Sequence, residues 1–381
     1  MGGGQVAGGS TLAEMDSGKG SVYPSEHLAG RDRATGVLVH QMTQHPSINH
    51  PAHFLQSSFT PDGAALIFTS YRTGTAQLFE ARFPDGLIRQ LTDGPPIHPY
   101  SAAIHPNGER IFFVRGGSVW RIDRIDLEER CIVSFGQARL GECSLAGEWL
   151  TAAALQGNQH GLVVGRTDGA RWDFFPFSRA VIRPQFHPVE QEWIEFGAEP
   201  APRMHRIRRD GQGLECLYYH GNDEFVVHET FLGKSGDLIF ALWPRALCRM
   251  DWRSRLIRTV AEFNAWHIAS NRAGTQILCD TNHPDEGLLL VDVASGARQS
   301  VCRPESSNQG SQWKESRYAP AGASEDAAAD TVYGPHWTHP HPSFSWDEQR
   351  VVFTSDRSGH PQVYVAELGD LPGRPFGAMV M

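Results

Sequence analysis

Hydrophobic and polar positions alternate along most of the chain in short runs that end at Gly, Pro, Asn or Asp. The run "ALIFTS" at 65–70 and the run "QLFEAR" at 77–82 are separated by a turn containing Gly74. The same order of turn, strand, turn and strand returns at 343–368, where "RVVFTS" is followed by "QVYVAE". Such runs predict antiparallel β-strands joined by hairpins. Because no stretch shows extended helical periodicity, the pattern predicts an all-β chain.

This hairpin unit repeats about seven times. The copies are spaced by roughly 40 to 45 residues, apart from one longer gap before the last unit, and that period is typical of four-stranded propeller blades. One unit alone cannot bury both faces of its sheet, so the units must pack around an axis. We therefore predict a seven-bladed β-propeller, in which the N-terminal run "TGVLVHQMT" at 35–43 adds an outer strand to the last blade and closes the ring.

The expected boundaries follow from this repeat. We expect residues 1–30 to be disordered and residues 31–381 to form a single propeller domain. The segment at about 304–330 is polar and rich in Ser, Ala and Gly, which predicts a loop insertion within that domain. Loops of this length inside a compact fold are usually functional or disordered.

Composition narrows the class of protein. The chain has 381 residues, a net charge of −9 and no basic block, which argues against nucleic acid as a partner. No apolar stretch reaches the length of a membrane span, and no secretory signal pattern is present. The six cysteines show no C-x-x-C spacing, so reduced thiols and a cytoplasmic location are expected. We expect a monomer or weak oligomer that does not associate with membranes.

Three histidines, His336, His339 and His341, lie within six positions just before the last repeat. If 339–343 enters a strand, His339 and His341 point to the same face, because side chains on a strand alternate. His336 can fold back from the preceding turn. A His-x-His pair with a third nitrogen nearby suits a first-row divalent metal ion, and a histidine-rich turn without metal is the alternative.

Other candidates lie at the start of neighbouring repeats. His267 opens the preceding unit, and equivalent positions on adjacent blades are neighbours in space; His283, in a turn between strands, is a rival. His228 opens the unit before that and is expected to face the central channel. Arg203 lies 25 residues upstream of His228, where an exposed strand cation is the simpler interpretation.

At this point the residues match a known family. The segment "THPHPSFSWDEQRVVFTSDRSGHPQVYVA" at 338–366 resembles the last blade of the oligogalacturonate lyases. The similarity extends over most of the chain and includes "SSFTPDGAALIFTS", "RMHRIRRDGQG", "VHETF" and "WHIASNRAG". The resemblance implies a seven-bladed propeller that cleaves short pectin fragments by β-elimination to unsaturated uronates, with a Mn²⁺-type ion that acidifies the proton next to the carboxylate.

The resemblance also implies roles for single residues. His267, His339 and His341 match three metal-binding histidines. His228 matches the catalytic base, and Arg203 matches the active-site arginine that binds a uronate carboxylate and offsets developing charge. His50 aligns with a family histidine and is expected to contact a sugar.

One ligand position departs from the family pattern. The family has a glutamine three positions before the His-Pro-His motif, and this chain has His336. A shell of four imidazoles shifts metal preference from Mn²⁺ toward Zn²⁺ or Ni²⁺. The tryptophans that follow the arginine and the base in the family are replaced by His205 and Thr230, which indicates that substrate preference has changed.

Two other functions stay open from the sequence. The chain can be a family relative that acts on a different uronate oligosaccharide, or a non-catalytic propeller of the TolB-like type that binds other proteins. A serine hydrolase of the prolyl-peptidase type is excluded, because no G-x-S-x-G motif is present.

Overall fold

Seven antiparallel β-sheets are arranged around a central channel in the computed structural model, which describes residues 18–282, 284–308 and 338–371. Five sheets have four strands and two have five. Each sheet runs from the channel outward in the order of the chain, apart from strands that the N-terminal segment adds. The sequence-based prediction of a seven-bladed β-propeller, closed by an N-terminal strand, is confirmed.

The strands of the described residues are short and are numbered in chain order. They are β1 (Val22–Tyr23), β2 (Leu28–Arg31), β3 (Leu38–Gln41), β4 (Asn49–Pro51), β5 (Ala65–Ser70), β6 (Gln77–Arg82), β7 (Ile88–Gln90), β8 (Ala103–Ile104), β9 (Arg110–Arg115), β10 (Ser118–Asp123), β11 (Glu129–Ser134), β12 (Arg139–Ala146), β13 (Trp149–Gln156), β14 (Gln159–Arg166), β15 (Trp172–Phe177), β16 (Ala180–Phe186), β17 (Trp193–Glu199), β18 (His205–Arg208), β19 (Glu215–Cys216), β20 (Phe225–Phe231), β21 (Leu238–Trp243), β22 (Ala246–Met250), β23 (Ile257–Ala261), β24 (Ala265–Ser270), β25 (Gln276–Thr281), β26 (Leu288–Asp292), β27 (Arg298–Cys302), β28 (Ser343–Phe344), β29 (Arg350–Ser355) and β30 (Gln362–Glu367).

The strands form blades that we number from 1 to 7. The strand orders, from the inner edge outward, are β4-β5-β6-β7-β1 in blade 1, β8-β9-β10-β11 in blade 2, β12-β13-β14-β15 in blade 3, β16-β17-β18-β19 in blade 4, β20-β21-β22-β23 in blade 5, β24-β25-β26-β27 in blade 6 and β28-β29-β30-β3-β2 in blade 7.

The core lies between the blades. Strand β5 is buried at all six positions, because one face packs on blade 2 and the other on blade 7. In the described residues, seven large clusters of buried apolar side chains each join two adjacent blades. This two-sided burial leaves the inner edges of the blades as the places where polar side chains can gather.

The N-terminal segment closes the ring more extensively than the sequence predicted. Strand β3 pairs with β30 of blade 7 through Val39 and Ala366, and β2 continues that sheet outward. Strand β1 pairs with β7 of blade 1. The expectation that residues 1–30 are disordered is therefore wrong for 18–30, where β1 is held by the distant β7 and β2 by the neighbouring β3. Residues 1–17 lie outside the described residues.

Inner strands of blades 3 to 6 share one irregularity. In each, two residues of the inner strand stand opposite a single residue of the next strand, which is a β-bulge. In blade 4 the bulge contains Arg183, in blade 5 it contains His228, and in blade 6 it contains His267. The bulge interrupts the regular alternation of side chains along the strand; Arg183 and His228 occupy its first position and His267 occupies its second.

The predicted loop insertion at 304–330 is only partly within the described residues. Its first residues pack on blade 7, where Ser306 Oγ donates to the Thr354 carbonyl at 3.0 Å and Ser307 Oγ donates to the Asp356 carboxylate at 2.6 Å. The remainder of the predicted loop, from 309, lies outside the described residues.

Two observations concern the wider character of the chain. The helical elements of the described residues are two 3-10 turns, Gly233–Ser235 and Leu368–Asp370, and no described helix is long and apolar enough to cross a membrane. All six cysteines are free thiols, in agreement with the expectation of reduced cysteines.

The closure of the ring yields a stability prediction. Val39 is 4% exposed in β3, whereas Leu28 in the neighbouring β2 is 53% exposed. We expect Val39→Asp to lower the free energy of unfolding by about 3 kcal/mol or more, because a charge without a partner would be buried between blades 6 and 7. Leu28→Asp is the matched control and should change it by less than about 1 kcal/mol. Thermal unfolding followed by circular dichroism measures both, and equal midpoints would show that β3 does not close the ring.

Candidate active site

Four histidines from three consecutive blades meet in the channel around Phe54. His228 belongs to β20 of blade 5, His267 belongs to β24 of blade 6, and His339 and His341 lie just before β28 of blade 7. The ring centres of His228 and His267 are 4.3 Å apart, and those of His267 and His341 are 3.8 Å apart. Phe54, which is fully buried, lies 5.1 to 6.1 Å from three of these rings.

The route by which His339 and His341 reach the cluster differs from the prediction. They were expected to enter a strand and share a face, but β28 begins only at Ser343. The backbone at His341 has a φ of 47°, which is outside the strand region. Their rings are 6.2 Å apart and tilted by 77°, so an irregular segment, rather than strand alternation, brings them together.

Asp280 holds the cluster from behind. This buried carboxylate accepts a hydrogen bond from the backbone N–H of His267 at 2.6 Å and another from His267 Nδ1 at 2.8 Å. The backbone N–H of His341 approaches it at 3.4 Å. With Nδ1 of His267 used in this way, Nε2 is the nitrogen that can bind a metal ion, which is the usual arrangement around metal-ligating histidines.

The imidazoles of His228, His267 and His341 are neutral at neutral pH. Burial holds the pKa of His267 well below its ordinary value, and the nearby His339 and Arg183 lower it further. Burial also lowers the pKa of His228 and of His341 to well below the ordinary value, with His267 as the next cause in both cases. Neutral imidazoles are the form that binds metal ions and accepts protons.

Burial also acts on the carboxyl group behind the cluster. It raises the pKa of Asp280 to about 7, and the hydrogen bond from the backbone of His267 limits the rise. A divalent cation at the neighbouring imidazoles would favour the ionised carboxylate.

The four histidines are side chains of the type that binds a metal ion, but in this arrangement they do not form a complete metal site. Among the described residues, no three His, Cys, Asp or Glu side chains form a group that could hold a metal ion as they stand. The ring centres of His267 and His341 are 3.8 Å apart, against 5.6 Å for His267 and His339. An ion bound to two imidazole nitrogens at ~2.1 Å keeps their ring centres roughly 4.5 to 6.5 Å apart. Metal binding therefore requires the His267 and His341 rings to separate, and the expected further ligand, His336, lies outside the described residues.

Arg203 is buried and is already paired with two carboxylates. Its Nε donates to Glu229 at 2.9 Å and its Nη1 donates to Glu199 at 2.6 Å. The side chain of Glu229 is 3% exposed, whereas that of Glu199 is 58% exposed. Burial alone would lower the pKa of Arg203, but the two carboxylates outweigh it and raise the pKa further. Because Glu229 follows His228 in the chain, this ion pair fixes the backbone that carries His228.

A second buried acid lies beside this ion pair. Burial, followed by the charge of Glu229, raises the pKa of Glu195 well above its ordinary value. Burial also opposes ionisation of Glu229, but the charge of Arg203 outweighs it and the net pKa of Glu229 is lowered. Gln185 joins blades 4 and 5 here by donating to the Glu229 carbonyl at 2.8 Å and accepting from Thr230 Oγ1 at 2.8 Å.

His50 lies at the edge of the cluster. Its Nδ1 hydrogen-bonds the carbonyl of Pro51 at 2.9 Å, and its ring is 4.5 Å from that of Tyr100, which in turn is 5.8 Å from His341. Burial lowers the pKa of His50 to about 4. The predicted sugar-contacting residue is thus one aromatic ring away from the candidate metal ligands.

Two cavities open on either side of this level of the channel. One, of about 420 Å³, lies at the beginnings of the inner strands of blades 3 and 4 and is lined in part by Arg139, Glu142 and Ile182. The other, of about 560 Å³, lies at the ends of the inner strands, where Phe54 and Phe231 contribute to its wall. Phe54 therefore separates the histidine cluster from the second cavity.

Several residues of the site were not found from the sequence. Asp280 is an acid inside the apolar strand "ILCDT", and that contrast was a usable signal. Arg183 occupies in "AVIRPQF" the position that His228 occupies in "FVVHETF", so aligning the two repeats would have found it. Phe54 carried no signal, because an apolar side chain near a strand is expected in any core.

Comparisons with known proteins cover nearly the whole chain. No protein-family model matches it. It is similar to the oligogalacturonide lyase of Pectobacterium atrosepticum, with 23% identity over 409 residues that cover 92% of this chain and 98% of that protein. The oligogalacturonate lyase of Dickeya dadantii is 22% identical over 395 residues, covering 89% of this chain and 95% of that protein. A solved oligogalacturonate lyase in complex with manganese has a TM-score of 0.79 at 20% identity and covers 94% of this chain and 99% of its own.

The role of Asp280 in orienting His267 can be tested by measuring the affinity of the protein for a metal ion. In Asp280→Asn the side-chain amide NH₂ would donate a hydrogen bond to Nδ1 of His267. The imidazole would then carry its proton on Nε2, and Nε2 would have no lone pair with which to bind a metal ion. We expect the affinity for Mn²⁺ or Zn²⁺ to fall by about 10- to 100-fold. Asp292→Asn removes the same charge at the outer end of β26 and should leave affinity unchanged. Calorimetric titration measures both, and wild-type affinity in Asp280→Asn would contradict the proposed orientation of His267.

The ion pair of Arg203 leads to a prediction on stability. Arg203→Met leaves Glu229 buried without its cation, and we expect the free energy of unfolding to drop by about 3 to 5 kcal/mol. Glu199→Gln removes the exposed partner and should cost less than about 1 kcal/mol. Denaturant unfolding followed by tryptophan fluorescence distinguishes the two variants. If Arg203→Met unfolds at the wild-type midpoint, Arg203 does not have the structural role that its contacts indicate.

Proposed function

We propose that the chain is a member of the oligogalacturonate lyase family, to which it is similar over nearly its whole length, and that it cleaves short oligogalacturonates by β-elimination. The observation that carries the proposal is the meeting of His228 with His267, His339 and His341 at one level of the channel. β-Elimination on a uronate requires a base next to a Lewis acid, and one imidazole next to three candidate metal ligands meets that requirement. A propeller that served only as a binding platform has no need of neutral imidazoles brought together in this way.

His228 is the residue that we propose as the base. β-Elimination removes the proton on C5 of a uronate, next to the carboxylate, and the C–H electron pair forms the C4–C5 double bond while the C4–O bond breaks. The neutral His228 accepts that proton, and the departing oxygen takes one from solvent. The Nδ1 of His228 is buried and makes no hydrogen bond within the described residues, so no protein group competes for it.

His267, His339 and His341 are the described residues that would hold a divalent metal ion. An ion bound there supplies a Lewis acid to the uronate carboxylate and so acidifies the C5 proton. Mn²⁺ is proposed from the similarity to the manganese complex. If His336 completes the shell, four nitrogen ligands would bind Zn²⁺ or Ni²⁺ more tightly.

For Arg203 we propose two contributions. Its pairing with Glu229 orients the segment that carries His228, and its positive charge lies close enough to lower the pKa of that imidazole. Glu199, being exposed, is the partner that a substrate carboxylate can replace on Nη1. His50 is proposed only as a contact for a sugar hydroxyl.

A second candidate function is elimination on a different uronate oligosaccharide. The observation that favours it is the occupation of Arg203 by two carboxylates of the protein itself, which leaves little of its guanidinium for the substrate.

The free thiols fit a reducing compartment, and we propose a cytoplasmic location, where short oligosaccharides would be the available substrates.

Two histidine variants test the proposal by separating the base from the metal ligands. We expect His228→Ala to lower turnover of digalacturonate by about 10²- to 10⁴-fold while the bound metal stays at the wild-type amount. His339→Ala should lose both metal and turnover, and chelation of the wild type should have the same effect. The measurements are the ultraviolet absorbance of the unsaturated product and metal analysis by mass spectrometry. Full activity in His228→Ala, or in the chelated wild type, would contradict the proposed mechanism.

A further inference from the structure

Arg183 stands in blade 4 where His228 stands in blade 5. Both residues occupy the first position of the inner-strand bulge, and both have a left-handed backbone, with φ of 49° for Arg183 and 58° for His228. A non-glycine residue in this region costs about 1 to 3 kcal/mol and is found mostly at functional positions. The fold thus presents Arg183 to the channel at the level of the proposed base.

The guanidinium of Arg183 has no carboxylate partner. Within the described residues it makes no salt bridge or hydrogen bond, and its Nε is buried. Its central carbon lies 5.8 Å from the ring centre of Phe54, which in turn contacts His228 and His267. Arg183 is half-buried, and its charge acts on the buried Glu195 and Glu229 at longer range, without a direct ion pair to either. Arg203, on the same blade, is by contrast paired directly with two carboxylates.

The surroundings of Arg183 offer room for a sugar. The cavity of about 420 Å³ is lined by 180–182, directly before Arg183, and by Arg139 and Glu142 of blade 3. The metal-ligand candidates His267, His339 and His341 belong to blades 6 and 7. His228, on blade 5, therefore lies between them and Arg183. A substrate that spans this level places one sugar toward the histidines and the next sugar toward blades 3 and 4.

We propose that Arg183 binds the carboxylate of the sugar that departs during elimination. This inference rests on the proposed function and deepens it. Digalacturonate has two carboxylates, one on the sugar that loses its C5 proton and one across the scissile bond on the non-reducing sugar. The first is assigned to the side of His267, His339 and His341, and the second then falls on the side of Arg183. A planar guanidinium with no competing partner binds a carboxylate through two parallel hydrogen bonds.

The consequence is a specificity for two consecutive free uronates. A methyl ester on the departing sugar removes the charge that Arg183 recognises and leaves the reacting carboxylate intact. The protein would thereby discriminate against esterified pectin fragments through a residue that does not touch the reacting atoms.

A cycle of two substrates and four proteins tests this. The substrates are digalacturonate and its mono-ester on the non-reducing sugar, and the proteins are the wild type, Arg183→Met, Arg183→Lys and the control Arg258→Met. Arg258 is an exposed arginine on the outer strand β23, so its removal changes net charge equally. We expect wild type and Arg258→Met to prefer the free acid by about 10- to 100-fold in kcat/KM. Arg183→Met should lose about that factor on the free acid and little on the ester, and Arg183→Lys should retain part of the preference.

Binding and stability provide readouts that do not depend on turnover. Calorimetric titration of digalacturonate into chelated protein should show weaker binding in Arg183→Met than in Arg258→Met. The thermal midpoint of Arg183→Met should stay close to that of the wild type, because Arg183 makes no direct hydrogen bond or ion pair within the described residues that the variant would lose. A purely structural arginine would instead show a lowered midpoint and unchanged binding.

The outcomes separate the inference from the proposed function. Turnover with an undiminished preference for the free acid in Arg183→Met would overturn the inference and leave the lyase function standing. An equal loss of kcat on both substrates would also overturn it, because Arg183 would then act on the reacting sugar. Absence of turnover in the wild type would refute the lyase function, and Arg183-dependent binding of digalacturonate would still support the contact with the carboxylate.

Discussion

The burial of both faces of every blade is the constraint on which the rest of the structure depends. Each sheet packs against two neighbours, so no face is left for polar chemistry, and strands such as β5 are buried throughout. Polar side chains can gather only at the inner edges, and there the bulges redirect them into the channel. The distances in the site are consequently set by blade packing. His228 and His267 lie 4.3 Å apart because the cluster containing Ile239 and Ile268 locks blades 5 and 6 together.

This architecture concentrates strain and unfavourable burial at one level of the channel. Arg183, His228 and His341 all have positive φ, at a cost of about 1 to 3 kcal/mol each. Three buried imidazoles, the half-buried imidazole of His341 and the guanidinium of Arg183 gather near the carboxylate of Asp280. Seven interblade cores stabilise the ring around them, which is how the fold tolerates a region that would be unstable alone. A divalent cation at the imidazoles and a substrate carboxylate at Arg183 would offset part of this unfavourable burial.

The sequence revealed what repeats or clusters along the chain and missed what depends on distant pairing. Seven blades could be predicted because the alternation is local and recurs, and His339 and His341 stood out because two histidines so close together are rare. The strands β1 and β2 lie in the polar segment "VYPSEHLAGR", whose residues show no alternation. Strand β1 forms by pairing with the distant β7, and β2 forms on β3, which is itself held by β30 at the other end of the chain. Phe54 could not be placed, since its position between blades 5, 6 and 7 comes from the closed ring and not from its neighbours in the chain.

The two arginines of blade 4 differ in what they can still bind. Arg203 cannot release Glu229 without leaving a buried charge unpaired, so only the part of its fork that faces the exposed Glu199 can be exchanged for a ligand. Arg183 makes no direct hydrogen bond or ion pair within the described residues, although its charge acts on Glu195 and Glu229 at longer range. A carboxylate arriving in the channel therefore gains more from Arg183, because there it displaces no hydrogen-bonded carboxylate, whereas at Arg203 it must displace Glu199. We therefore propose that Arg203 holds the segment that carries His228 and that Arg183 recognises a substrate carboxylate.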